Sequence, residues 1–531
     1  MLSPDPSSTD MAIDARVPTP EPGPIATHPT ASGAIGRPGG ARLRLAPGLQ
    51  AALLPALLAA LLIPGGSALA EPSADTAGAK VRAKPSRIPA ARAAGRAPQD
   101  EGQQATIREV GVEAQEGTFP APRRSPSQAQ TGECGAKPPQ TVPKTGVTVG
   151  ERGILLVNDD RSIKLRLTGR IHLDANGYRA TQPFRTDGED FLIRRGWFET
   201  YLNYRDTWEG GLQLDTSNRV QPVFDAVIAY RGFKPFIVTV GNVREPFSLQ
   251  QMSSINQDTF VERASVDALT PARSVGLTVG ANGERWTAAA GGFLGNINRG
   301  VESGGRAVAA RVTYAPLLDK TDVLHFGASG SYRAFDANDR PTSIASLNVT
   351  DAIGAAFITT RPIAGASSLA RVGVEAALQL GLVRLQTEYI ENEVERDLRP
   401  FGVADRRAQR YNGGYVQAAI PINGPPRVYR IAPNYGTHFG IFGDMTLPDD
   451  KRLSRGGIGV FELAGRIAYL DLKDAGSSGG FERSRTVGVS WRPETNVKLM
   501  LNYTHFDVSR PITNGGSVQV DLTEMRLQYY W

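Results

Sequence analysis

The sequence has a single cysteine, Cys134, so neither an internal disulfide nor a thiolate metal site can form. Histidine is almost as scarce. His28, His172, His325, His438 and His505 are scattered without HExxH-type spacing, so no metal or cofactor is expected. A hydrolase would need its nucleophile beside a base, and none of these histidines is accompanied by a catalytic motif. Hydrophobic residues make up only 40% of the chain and aromatics 7%. A helical membrane protein needs several apolar runs of about 20 residues, and one candidate exists, near the N-terminus. The formal charge of +6 is spread out, with no basic block, which argues against a nucleic-acid partner.

What is present falls into three textures. Residues 1–70 begin rich in Pro, Ser, Thr and Gly; Arg42 and Arg44 then precede LAPGLQAALLPALLAALLIPGG and an Ala68-Leu69-Ala70 site. A positive start, a short apolar core and an A-x-A end read as a secretory signal with an N-terminal extension. The rival is a lone membrane anchor, disfavoured by Pro55 and Pro64 within the stretch. Residues 71–146 are rich in Ala, Pro, Gln and Arg without a period. They are expected to stay disordered in the periplasm, because they cannot bury enough apolar surface to offset the entropy of ordering.

From about residue 147 the pattern has period two, as a strand demands. In RSIKLRLTGRIHLDAN, Ile163, Leu165, Leu167, Ile171 and Leu173 share one face, and Lys164, Arg166, Thr168, Arg170, His172 and Asp174 share the other. The alternation returns in EGGLQLD, VLHFGASGSYR, VFELAGRIAYLD and NVKLMLNYTH. Short turns, such as Leu380-Gly381-Leu382 and Arg492-Pro493-Glu494-Thr495, contrast with polar stretches at 334–350 and 392–410. The chain closes on TEMRLQYYW, with Met525, Leu527, Tyr529 and Trp531 in one phase, which suits a barrel whose last strand must pair with its first. These features predict an all-β transmembrane antiparallel barrel. At about 24 residues per strand and connection, residues 147–531 supply about 16 strands, enough for an aqueous lumen. A secreted β-sandwich adhesin alternates as well, but buries its oily face against a second sheet.

The run from GRIHLD through FLIRRGWFETYLNYRDTWEGGLQLD to FDAVIAYRGFKPFIVTVGNVREPFSLQQMSSINQDTFVERA resembles the phosphate- and polyphosphate-selective porins of Gram-negative bacteria. GGYVQAAIPING, TVGVSWRPETNVKLMLNYTHF and EMRLQYYW agree with it. The resemblance implies a trimer in the outer membrane, passing small anions such as phosphate or chloride. It also implies an inward-folded third loop at about Gly241–Ser274, carrying Arg244, Glu245, Arg263 and Arg273.

Strand phase makes Arg166, Arg170, Arg195, Arg311, Arg333, Arg384 and Arg466 candidates for the lumen wall, some of them paired with carboxylates. On strand phase, Glu199 is a partner for Arg195 and Glu388 for Arg384. The resemblance points to Arg195 and Arg263 as constriction arginines, to Arg194-Arg195 as the family's Arg pair, and to Asp225 as the acidic residue facing them. It also marks a departure: Gln251 stands where phosphate-selective members carry a lysine. The loop after SYR offers only Arg333 and Arg340. A general channel with weak anion preference is therefore expected, not a tight phosphate site.

Overall fold

The structure is a computed structural model. It describes residues 145–181, 188–218, 221–298, 304–336, 344, 356–360, 362–397, 408–431, 440–474, 477–509 and 517–531. The predicted signal and periplasmic segments lie outside the described residues, as does Arg340.

The segment opens with a small hairpin, β1 (Gly146–Gly150) and β2 (Gly153–Val157). The barrel wall follows. Its first half is β3 (Ile163–Ala180), β4 (Gly188–Tyr204), β5 (Trp208–Asp215), β6 (Val223–Tyr230), β7 (Phe236–Arg244), β8 (Arg273–Asn282), β9 (Trp286–Phe293) and β10 (Arg306–Leu318). The second half is β11 (Val323–Ala334), β12 (Ala366–Leu380), β13 (Val383–Arg396), β14 (Gln409–Pro421), β17 (Val460–Asp474), β18 (Ser477–Glu494), β19 (Val497–Ser509) and β20 (Ser517–Tyr530). Between β14 and β17 lies a two-residue ladder, β15 (Tyr429–Arg430) with β16 (Ile441–Phe442).

Every wall strand pairs antiparallel with its sequence neighbour, and β20 returns to pair with β3, so the sixteen strands close without an edge. Closure ends on the last residue: Trp531 and Gly169 exchange backbone hydrogen bonds of 3.1 and 3.2 Å. Below that point the free edge of β3 is taken by β2, from Ile154↔Leu167 to Val157↔Lys164. The β1–β2 hairpin was not anticipated from the sequence.

The period-two faces fall as expected. On β19, Leu501 and Tyr503 point outward while Lys498, Met500, Asn502 and Thr504 are buried inward. The outward face is apolar, and aromatic residues mark both its ends. Trp208, Phe236, Trp286 and Tyr529 stand near the short turns; Phe191 and Tyr332 stand near the long loops. An apolar band with two aromatic girdles is what a barrel presents to lipid. Among the described residues, no helix is long and apolar enough to cross a membrane.

Two connections enter the lumen. The third loop, 245–272, folds in from the long-loop end, as expected. The strands reach further than the predicted polar stretch 392–410 allowed, leaving only 397–408 as loop. The connection 422–459 was not expected to matter. It starts from the short-turn end and brings β15–β16 inside.

Candidate functional site

The third loop is fastened from both directions. The wall carboxylate Glu388 accepts from Ser248 Oγ (2.5 Å), Leu249 N (3.0 Å) and Gln250 N (2.8 Å), capping the single helical turn Leu249–Met252. Phe247, Ala264, Val266 and Leu269 pack in one apolar cluster with Ile390, Tyr411, Tyr415 and Leu470 of the long-stranded wall. Leu249 and Met252 pack against Tyr429, Ile441 and Phe442 of the lower connection, so the two intrusions meet in mid-lumen. That lower connection is held by Arg427 to Glu462 (2.6 Å), Arg492 to Asp444 (2.8 Å) and Tyr429 Oη to His325 (2.7 Å).

Cations of the wall and of the lower connection then cap carbonyls along the loop. Lys498 donates to Asp258 O (2.6 Å) and Arg466 to Glu262 O (3.0 Å); Arg427 reaches Gln257 O, and Arg526 reaches Val261 O. These cations hold the loop. A carbonyl buried without a partner costs about 1–3 kcal/mol, so each contact matters to the loop's position.

The remaining opening lies on the other side. Inward polar side chains that keep partial exposure on this side include Arg166 and Thr168 on β3, Arg194 on β4, Asp225 on β6 and Arg273 on β8. On the loop, Gln251, Ser253, Gln257, Glu262 and Asp267 are also partly exposed, and Glu262 meets Arg194.

Most of the sequence-predicted arginines are neutralised here. Arg170 pairs with Glu199 and lies 4.6 Å over the Trp197 ring. Arg273 pairs with Asp225 (2.7 Å), Arg311 with Glu375 (3.1 Å from Nε), and Arg333 with Glu245. The pairings expected along single strands do not form: Glu199 goes to Arg170 on the next strand, and Glu388 to the loop. Residues four apart on a strand are about 13 Å apart, whereas cross-strand neighbours lie about 5 Å apart. Arg384 instead donates to Gln386 (3.0 Å) and Thr259 (2.7 Å). Asp225 pairs with Arg273.

Arg194 and Arg195 are consecutive, yet both turn inward. The β3–β4 register slips between His172↔Arg195 and Leu173↔Ile193, leaving Arg194 as the extra residue of a β-bulge. Arg194 Nε reaches Glu262 Oε1 at 3.1 Å. Arg526 grips Asp174 through Nε and Nη2, both at 2.6 Å, and meets Glu262 at 2.7 Å. Burial alone would raise the Glu262 carboxyl, but Arg194, Arg526 and Arg195 outweigh it and hold the group far below the usual carboxylate range. Arg194, Arg195 and Arg526 gather around Asp174 and Glu262, with Glu524 on the neighbouring position of β20, and among the described residues Arg195 is the one of the three guanidiniums with no ion pair. It is 9% exposed, and its Nη1 is buried without a hydrogen-bond partner among the described residues.

Arg263 differs. It reaches Asp258 (3.2 Å), Asp267 (3.6 Å), Ser253 O (3.0 Å) and the side-chain oxygen of Gln251. Arg244 binds Ser253 O (2.9 Å) and Gln251 O. Gln251 thus joins Arg244 at the end of β7 to Arg263 of the loop and donates to Pro271 O (3.2 Å). A lysine at this position could not accept from Arg263.

Residues 165–531 match the family described as phosphate-selective porin O and P. The chain belongs to that family. It is 24% identical over 417 residues to Porin O of Pseudomonas aeruginosa, covering 71% of this chain and 90% of that one. It is 27% identical over 419 residues to a Caulobacter vibrioides protein, covering 73% and 78%. Among solved structures it aligns with OmpT of Vibrio cholerae at TM-score 0.45 and 11% identity, covering 71% of this chain and 99% of that one. It also aligns with an anion-selective porin from Comamonas acidovorans at TM-score 0.44 and 10% identity, covering 70% and 100%. Membership of that family makes the protein an outer-membrane porin of a Gram-negative bacterium.

For this porin, strand phase found the wall arginines but not their partners. It missed Arg526 and Lys498, whose inward phase was readable but whose binding to the loop depends on contacts distant in sequence, and Arg427, which lies on no wall strand. Arg166 lies near the short-turn end, donating to Arg152 O at 3.3 Å. Among the described residues there is no His/Cys/Asp/Glu group suited to a metal.

Proposed function

We propose that the porin passes small anions, phosphate and chloride among them, through the opening between β3–β8 and the third loop, with weak preference and no tight phosphate site. The observation that carries this reading is the guanidinium of Arg195, which has no ion pair among the described residues. A low-dielectric constriction focuses the field of an unpaired charge. Arginine suits phosphate because its planar fork donates two parallel hydrogen bonds and stays charged. Conduction needs several weak sites in place of one strong one. Arg194 and Arg273, each paired but partly exposed, supply neighbouring sites on either side.

Two features limit affinity. Gln251 replaces the family's lysine, and Arg263 is engaged by Asp258 and Asp267. A missing cation contact removes about 1–3 kcal/mol of anion binding, the scale of a charge-assisted hydrogen bond. The assembly we propose is a homotrimer. The wall from β5 to β9, with strands of 8–10 residues and outward Leu212, Ile228, Val240 and Leu277, would pack against other copies.

Single-channel recording in planar bilayers tests the reading. Current in potassium chloride should be carried mainly by chloride, and added phosphate should block it only at high concentration. Block at micromolar phosphate would show a complete phosphate site, and a mainly potassium-carried current would remove the anion reading.

A further inference from the structure

The outer wall carries a charge cluster that the pore does not use. In the β18–β19–β20–β3 sector, register aligns Arg485↔His505, His505↔Asp521 and Asp521↔Arg179, forming one row across four strands. All four side chains have the outward phase, as do Arg483 and Asp507 one step nearer the long loops. His505 Nδ1 lies 2.8 Å from Asp521, and Nε2 lies 3.4 Å from Asp507. Arg485 meets Asp507 at 2.8 Å, and Tyr503 Oη donates to Asp521 at 2.7 Å. Directly below come Val487↔Tyr503, then Val489↔Leu501 and Leu501↔Met525, which are lipid-facing rows.

The row therefore sits where the apolar band ends on the long-loop side, the level of the outer-leaflet headgroups. Its carboxylates are tied to His505, Tyr503 and Arg485, while Arg179 and Arg483 are exposed and have no ion pair among the described residues. Arg179 and Arg485 stand three strand spacings apart, about 14 Å. Outward carboxylates flank the sector, with Asp471 on β17, Glu189 on β4 and Glu391 and Glu393 on β13.

We propose that this row binds the headgroup of a glycolipid carrying a phosphate at each end, with Arg179 and Arg485 taking one phosphate each, Arg483 beside them and the acyl chains lying on Val487, Leu501 and Met525. The fork of a guanidinium matches a phosphate, and the spacing favours two phosphates over one.

The test uses the full-length porin in detergent, stripped of lipid. Diphosphoryl lipid A, monophosphoryl lipid A and phosphatidylglycerol are offered in turn, and the retained lipid is quantified by mass spectrometry. Wild type should retain the diphosphoryl form best, and Arg179→Ala with Arg485→Ala should retain it about ten-fold less. Single-channel conductance and heat-dependent gel mobility should stay unchanged, because neither residue faces the lumen. Equal retention of the three lipids by wild type overturns the proposal. So does unchanged retention by the double variant. Loss of the oligomer in that variant with retention intact would instead assign the row to contact between copies, and would equally overturn it.

Discussion

Arg195 and Arg263 are equivalent candidates by motif position, yet they sit in opposite electrostatic settings. Arg263 belongs to the loop, held by two carboxylates, a backbone carbonyl and the Gln251 side chain. Arg195 belongs to the wall, and its Nη1 is buried unpartnered among the described residues, beside a cluster in which Asp174 and Glu262 are already paired with Arg526 and Arg194. Position in a motif does not decide whether a cation can serve a passing ion. What decides is whether its charge and donors are already satisfied nearby.

The sharpest break of this comparison is Arg195→Ala. It should weaken phosphate block by about ten-fold or more, from the loss of about 1–3 kcal/mol of charge-assisted bonding. Arg263→Ala should change block by less than about three-fold. Burial already pushes the Asp267 carboxyl above its ordinary value, so losing its guanidinium partner lets it take up a proton and offset the deleted charge. The expected signature of that variant is unsteady conductance, because the loop loses its hold on Ser253 and Gln251. Equal loss of block in the two variants would erase the distinction.

A pH series sharpens it further. Asp267 has a raised pKa, so acidification through its titration removes a negative charge beside Arg263 and should raise anion preference. Glu262 is depressed: its stabilising pairing with Arg194 and Arg526 is present above the unfolded carboxylate value and is lost only as pH falls through the much lower folded value. It should contribute nothing to a change between about pH 5 and 8. Asp267→Asn should abolish the acid-induced rise in the zero-current potential, and a rise that persists would point to another group.

The smallest expected effect is that of Gln251→Lys. The side chain points to Arg263 and the Pro271 carbonyl, within the loop and away from the opening. Restoring the family's lysine should therefore tighten phosphate block by no more than about three-fold. A larger gain, measured in the same bilayer assay, would mean that the position alone limits phosphate affinity.

The architecture was largely legible because it rests on local patterns. Period-two alternation from Ile163 to Leu173 and from Val497 to Tyr503 placed the strands and their faces. The terminal TEMRLQYYW placed the closing strand. What escaped depends on contacts distant in sequence. Nothing local in residues 422–459 marks that connection as an intrusion; its place is fixed by Glu462, Asp444 with Arg492, and His325. The bulge that turns both Arg194 and Arg195 inward arises from register with β3, which no single strand reveals. The pairing of Arg526 with Asp174 joins the first and last strands of the barrel and forms only when it closes.

One measurement bears most directly on the idea that Arg195 is an unpaired charge of the constriction. It is the zero-current potential across a planar bilayer holding a potassium chloride gradient, taken for wild type and Arg195→Ala. Wild type should show the sign of chloride preference, and the variant should move toward zero or reverse. Identical potentials in the two proteins would contradict the account, since the preference would then arise elsewhere in the lumen.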